Sequence, residues 1–374
     1  MAHAYTPGLR ITAHTQLRKE RRLPLKGEVL VAVGDRVHRD QVVARTDLPG
    51  DVVTVNVVNR LGISADDIGQ YMLKKEGDPV AAGEPIAETR PWIKWLKTVV
   101  ESGIDGTLEN ISSITGQVIL RKPPAPVEMP AYIDGTVVGV IPGEGVVVET
   151  AGAFVQGIFG VGGENWGTLD LRVSDPSQPL TPALLGSDCE GKIVGGGGRL
   201  SYEAILAARD MGAVGIIGAG IHDRDLCELL GYDLGVAITG TEEIGITLII
   251  TEGFGEIAMA RKTFSILERF SGREASLSGA TQIRAGVLRP ELIVPDLDAP
   301  EAKSEAHSSV SGMQVGDVLR VIRAPHFGRI GQIAELNTEL RKVESGAHVR
   351  VLEVKFEDGS RVVVPRANVE LIEE

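Results

Sequence analysis

Cysteine is almost missing from this 374-residue chain, with Cys189 and Cys227 the two present. They do not form a CxxC pair, so neither a disulfide framework nor a four-cysteine cluster is available, and two reduced thiols are expected. Aromatic residues make up only 4%, which argues against a surface built from base-stacking side chains. Basic excess is missing too: the formal charge is −13, a poor balance for general phosphate-backbone binding. No apolar run approaches the ~20 residues that span a bilayer, and the opening MAHAYTPGLRITAH has no apolar signal core. The cytoplasm is the expected compartment, without a membrane partner. The seven histidines are scattered, and no HxE, HExxH or paired-histidine spacing occurs, so no metal and no cofactor are expected.

What the chain has in quantity is glycine, 46 residues, and glycine marks the turns that short strands need. Two segments repeat one pattern. Residues 29–46 read VLVAVGDRVHRDQVVART and residues 72–89 read MLKKEGDPVAAGEPIAET. Both fit G-D-x-V-x-x-[DG]-[QE]-x-[VI]-A-x-T, and internal self-similarity is a stronger signal than a single motif. Val29, Val31 and Val33 alternate as in a strand, Gly34-Asp35 and Gly77-Asp78 are tight turns, and Val37 and Val80 restart a buried face. The pattern resembles the barrel-sandwich hybrid fold of RNA polymerase large subunits, Rnf C-subunits and biotinyl or lipoyl carriers. The Met-Lys-Met or Asp-Lys hairpin of the carriers is absent. Lys94, in Trp92-Ile93-Lys94-Trp95, is expected on a short amphipathic helix over 92–100 that buries its tryptophans.

From about residue 175 the texture becomes α/β. Lys192-Ile193-Val194 is a strand; Ser201 caps a helix over 202–211; residues 213–217 and 247–251 are further strands; helices are expected from Asp223 and over 258–270. This order implies a layered, partly parallel sheet. In such sheets ligands sit beyond the C-terminal strand ends, so an anion pocket would draw on Gly195, Gly196, Gly197, Gly198, Arg199, Ser201, His222 and Glu252. The competing explanation is that tight strand-to-helix turns simply need glycine. A nucleophile with an adjacent base is not found, and no catalytic residue is assigned.

The last segment contains Val315-Gly316-Asp317-Val318-Leu319-Arg320-Val321-Ile322-Arg323 followed by Ala324-Pro325-His326-Phe327-Gly328-Arg329-Ile330-Gly331. It resembles the KOW motif of NusG-type elongation factors and ribosomal proteins, which implies an SH3-like barrel with contact residues Arg320, Arg323, His326, Phe327 and Arg329. Its nine Lys/Arg against ten Asp/Glu favour a protein partner or large assembly over RNA, with RNA the second candidate. The expected architecture is a multidomain α+β chain. It comprises an N-terminal arm (1–20), a barrel-sandwich hybrid-like β domain (21–170), a central α/β layered domain (171–295), a flexible linker (296–312) and the KOW/SH3-like β-barrel (313–374). The expected function is a non-catalytic adaptor or scaffold; the rival is an α/β enzyme or small-ligand sensor using the glycine-rich turns.

Overall fold

The computed structural model describes residues 9–92, 97–232, 242–281, 288–296, 313–321, 325–326, 329–336, 340–342, 348–356 and 358–373. Strands dominate, gathered mainly into one large mixed sheet, with five α-helices among the described residues.

The centre of that sheet is parallel. Strand Glu164–Leu171 pairs with Lys192–Gly195, which pairs with Gly215–Ile221, which pairs with Thr247–Phe254, all in the same direction. Consecutive apolar residues on these strands face opposite sides. Ile193, Ile217 and Ile249 enter one core together with Phe264, Leu267 and Phe270 of helix Arg261–Phe270. Val194, Ile216, Leu248 and Ile250 enter a second core with Ile205 and Leu226, from helices Tyr202–Asp210 and Asp223–Leu230. The run of apolar residues in each strand is therefore the signature of a sheet covered on both faces. Strand Glu164–Leu171, expected in the N-terminal domain, is the fourth parallel strand of this layer.

The N-terminal residues differ from the expected arm. Leu9–Arg22 is a 14-residue strand laid antiparallel along Gly145–Gln156. Leu9 and Ile11 reach the α/β core. The β region that follows has two cores in place of one. Leu17, Val37, Val43, Ile133, Val146 and Val148 form the first. Val55, Val57, Ile68, Val80, Ile86, Leu108 and Leu120 form the second. The second motif copy thus builds its own module, inserted into the first.

The physical content of the repeat is visible in both copies. Gly34 and Gly77 take φ of 97° and 94°, a region that favours glycine. Each sends its N–H across to a neighbouring strand, to Val137 and Leu108 respectively, both at 2.8 Å. The following aspartates accept the N–H three residues back, Ala32 by Asp35 (2.8 Å) and Lys75 by Asp78 (2.7 Å). Gln41 and Glu84 do the same for His38 and Ala81, which accounts for the Gln/Glu position of the motif. A third copy of the aspartate turn opens the C-terminal segment: Gly316 has φ 99°, its N–H bonds Ile333, and Asp317 accepts from Gln314.

Two local expectations are corrected. The strand beginning at Val29 ends there, as Glu28–Val29, and Val33 is exposed, because the aspartate turn already engages Ala32. The helix expected over 92–100 is not formed in its described part. Val99–Glu101 is a strand paired with Pro85–Glu88, continued by Thr89 and Thr98 bonding each other. Trp92 is fully exposed. Pro91, which disfavours the helical region for the residue before it, precedes Trp92. Lys94 and Trp95 lie outside the described residues.

The C-terminal segment is a curled antiparallel sheet in the order Val369–Glu373, Val318–Val321, Ile330–Glu335, His348–Phe356, Arg361–Pro365. Its core is Leu319, Val321, Ile333, Leu352, Val354 and Phe356. Gly331 is crossed closely: a Cβ there would stand 2.6 Å from Val354 and 2.7 Å from the Lys355 carbonyl. The sheet is tied to the rest of the chain at its last strand, where Ile372 and Glu373 run parallel to Leu9 and Arg10.

Candidate functional site

The C-terminal ends of the parallel strands are where an open α/β sheet offers a crevice. Here that position is filled by the chain itself. The four glycines do not cradle an anion. Gly196 donates its N–H to Ile217, and Gly197 and Gly198 both donate to Gln178. All four are buried, and none has positive φ. A Cβ on Gly197 would lie 2.2 Å from the Asp175 carbonyl, and one on Gly198 2.5 Å from that of Ser177. Their lack of a side chain is needed because segment 175–180 crosses directly over them. The N–H groups that an anion would require are spent on carbonyls, which corrects the expectation of a backbone nest at Gly195–Gly198.

Arg199 is equally engaged. Its Nη1 bonds Asp225 Oδ2 at 2.9 Å, and its Nε lies 2.7 Å from Glu256 Oε1. His222 Nε2 reaches the same Glu256 oxygen at 3.3 Å. Ser201 caps helix Tyr202–Asp210 by accepting from Ala204. His222 occupies the cap position of Asp223–Leu230 without a side-chain cap bond. An anion arriving here would meet two carboxylates already on the guanidinium.

The most deeply set group is Glu252, one residue past the buried Thr251. It is 4% exposed. Its Oε1 accepts the N–H of Ala260, the residue that leads into helix Arg261–Phe270, at 3.1 Å. Its Oε2 receives Nη1 of Arg320 at 2.8 Å, and the same nitrogen reaches the Glu252 carbonyl at 2.8 Å and the Thr251 carbonyl at 3.4 Å. Arg320 is 2% exposed. The residue expected as a surface contact of a C-terminal barrel is therefore a plug that ties the curled C-terminal sheet to the α/β layer. Two residues placed in different sites, Arg320 and Glu252, are one buried ion pair. Buried charges occur paired because desolvation leaves no cheaper state.

Two of the other barrel candidates do meet at the surface. The Arg329 guanidinium lies over the Phe356 ring, 3.7 Å from its centroid, and the His326 ring is 5.8 Å from the same centroid. Arg329 also bonds Asp358 at 2.6 Å. Asp358 is held below the usual carboxylate range, first by the Ser360 hydroxyl and N–H, then by the Arg329 charge. Arg323 and Phe327 lie outside the described residues.

Asp225, Glu256 and Phe356 were not among the residues picked from sequence. Asp225 lies in the first turn of helix Asp223–Leu230 and Glu256 two residues past strand Thr247–Phe254, both in the segments that follow strand ends, where acids are a readable hint. Phe356 is a buried core residue whose ring is covered by the Arg329 guanidinium, and sequence offers no sign of that. Among the described residues no group of three or more His, Cys, Asp and Glu side chains is placed to hold a metal ion. Cys189 is buried and Cys227 half-buried, with no disulfide between them. No described helix is long and apolar enough to cross a membrane. A scan against protein-family models found no match, and a search of curated proteins found none either.

Proposed function

We propose that this chain is a non-catalytic adaptor that presents its C-terminal barrel, of KOW and SH3-like type, to a macromolecular partner. The observation that carries the reading is the Arg320–Glu252 pair. It occupies the end of a parallel strand, where an α/β sheet of this kind can bind a small ligand, and on the same sheet half-buried Arg329 and His326 lie over the buried Phe356 ring. A stacked guanidinium beside an imidazole is a surface suited to an acidic or aromatic protein segment, since arginine and aromatic groups anchor interfaces. The near balance of charge in residues 313–374 supports protein over RNA as the partner. The order of the five curled strands and the close crossing at Gly331 also support the KOW-type assignment.

The test is affinity purification of the tagged full chain with crosslinking, in parallel with the double variant His326→Ala/Arg329→Ala. A stoichiometric partner should crosslink to the barrel, and its recovery should fall at least about tenfold in the variant while the unfolding midpoint is kept. Recovery of the chain alone, or a salt-dependent RNA shift without any protein partner, would remove the proposal.

A further inference from the structure

The inserted module joins the rest of the chain through a two-stranded ribbon that is interrupted at one place. On the near side, strand Val42–Leu48 pairs with Ala125–Pro130, ending where Leu48 faces Ala125. On the far side, strand Val52–Asn56 pairs with Gln117–Arg121, starting where Val52 faces Arg121. Between the two ladders lie Pro49, Gly50 and Asp51 on one strand and Lys122, Pro123 and Pro124 on the other. Proline has no N–H to give to a ladder, so half of these residues cannot donate. One main-chain bond crosses the gap, from the Lys122 N–H to the Asp51 carbonyl at 2.9 Å. The strands touch at Gly50, where a Cβ would stand 2.1 Å from the Lys122 carbonyl oxygen and 2.5 Å from that of Pro123.

Beyond this joint the module is held by its own interactions. Its core, from Val55 to Leu120, has no residue in common with the core around Leu17, Val43 and Val148. The strand pairings, hydrogen bonds and ion pairs made by the described residues of 52–121 stay within that span, as Lys74–Glu84 and Lys97–Glu88 do. The exception is Arg121. Its Nε and Nη2 bond Glu109 of the module at 3.0 and 2.8 Å, and its Nη1 reaches across the joint to the Gly50 carbonyl at 3.0 Å. Two bodies without a large apolar interface are expected to move relative to one another.

We infer that the module is an arm that swings as a rigid body about this joint, with Arg121 as the strut that limits its travel. On either side of the gap the register runs unbroken over five pairs, so bending concentrates between them. A bend there disturbs the Lys122–Asp51 main-chain bond, the Arg121 strut and the exposed Lys122–Asp51 ion pair at 3.2 Å, and an exposed pair contributes little. Hinges of this kind take up the dihedral change at a few residues between regular elements. A compact body of about 70 residues has a radius of gyration of about 11 Å, which puts its far end on the order of 25 Å from the joint. A rotation of about 15° carries that end through about 6–7 Å. The arm gives the chain a variable separation between the module and everything else, and this freedom does not depend on the barrel's partner.

The experiment is pulsed electron paramagnetic resonance on the full chain with two spin labels. Half-buried Cys227 is replaced by alanine, and Cys189, fully buried, stays in place out of reach of the label. One pair, Ile114→Cys with Val140→Cys, spans the joint. The control pair, Val140→Cys with Met211→Cys, lies wholly outside the module, and all three positions are exposed. The distance distribution of the spanning pair should be broader than that of the control by about 6 Å or more. Arg121→Met should broaden it further and leave the control unchanged, with unfolding midpoints checked by circular dichroism. Residual dipolar couplings on the unsubstituted chain test the same point without labels: a swinging arm needs a second alignment tensor, and a fixed arm shares one with the rest. Equal widths for the two pairs, or a single tensor for the whole chain, would overturn the inference. A spanning width unmoved by Arg121→Met would overturn the strut.

Discussion

Breaking the Arg320–Glu252 pair from each side, and then from both, tests whether the curled C-terminal sheet is held by a buried charge. The substitutions are Arg320→Met, which keeps the length and removes the charge, and Glu252→Gln, which keeps an acceptor for the Ala260 N–H. Either single change removes the bond between the Arg320 guanidinium and the Glu252 carboxylate in a region where the two residues are 2% and 4% exposed. Losing one partner of a buried pair costs about 3–5 kcal/mol, whereas replacing both with neutral groups is often near neutral. The singles should therefore each destabilise by about 3–5 kcal/mol, and the double by much less than their sum, giving a coupling of about 3 kcal/mol or more. Denaturant unfolding measures the total. Hydrogen exchange locates it: amides of Val318–Val321 should open about two to three orders of magnitude more often in the singles. Those of Thr247–Phe254, with both faces covered, should change less. Single variants within about 0.5 kcal/mol of wild type, or strictly additive losses, would refute the argument.

Three further outcomes are expected. The Tyr132 hydroxyl is pushed well above its ordinary pKa by burial and by the charges of Glu291 and Glu164. A raised folded-state pKa favours the protonated form in the fold, so this contribution is intact below about pH 10 and is lost as pH rises beyond it, by about 1.4 kcal/mol per pH unit. In Tyr132→Phe, denaturant midpoints should lose that alkaline slope; an unchanged slope would refute the assignment. Gly197→Ala places a methyl 2.2 Å from the Asp175 carbonyl and should destabilise by about 1–3 kcal/mol in thermal unfolding. Adding inorganic phosphate or nucleotides should leave the wild-type midpoint unmoved, and stabilisation by any of them would restore the anion-pocket reading.

The turns were legible because their chemistry is local. Gly34 and Gly77 announce a positive φ, and the structure adds a third such turn at Gly316 and the N–H that the aspartate after each glycine accepts, all within four residues of chain. The α/β layer was legible for a similar reason: the apolar runs at 192–194, 213–217 and 247–251 are too continuous for a half-exposed strand. What failed depended on partners far along the chain. Glu164–Leu171 looks like a continuation of the preceding β segment, and only its pairing with Lys192–Gly195 places it in the α/β sheet. Trp92 looks like a core residue by composition, yet apolarity states a cost of exposure and not its avoidance. Arg320 matches a motif whose arginine faces solvent, and its acid is 68 residues away on another sheet.

That last case bears on how the adaptor would work. Among the described residues, the curled C-terminal sheet meets the rest of the chain at the Arg320–Glu252 pair and at the short parallel contact of Ile372 and Glu373 with Leu9 and Arg10. Sixteen residues separate Asp296 from Met313 in sequence (297–312), short enough to keep the barrel at an effective concentration of about millimolar next to its seat. At that concentration a modest contact suffices to hold it. A partner that binds at Arg329 and His326 leaves the seat undisturbed and gains a rigid platform. A partner that needs Arg320 must first strip it from Glu252, and its apparent affinity falls by the fraction of chains in which the barrel is unseated. Glu252→Gln distinguishes the two: it should strengthen the second kind of binding and leave the first unchanged. On the proposed reading, the half-buried Arg329 over Phe356 favours the first.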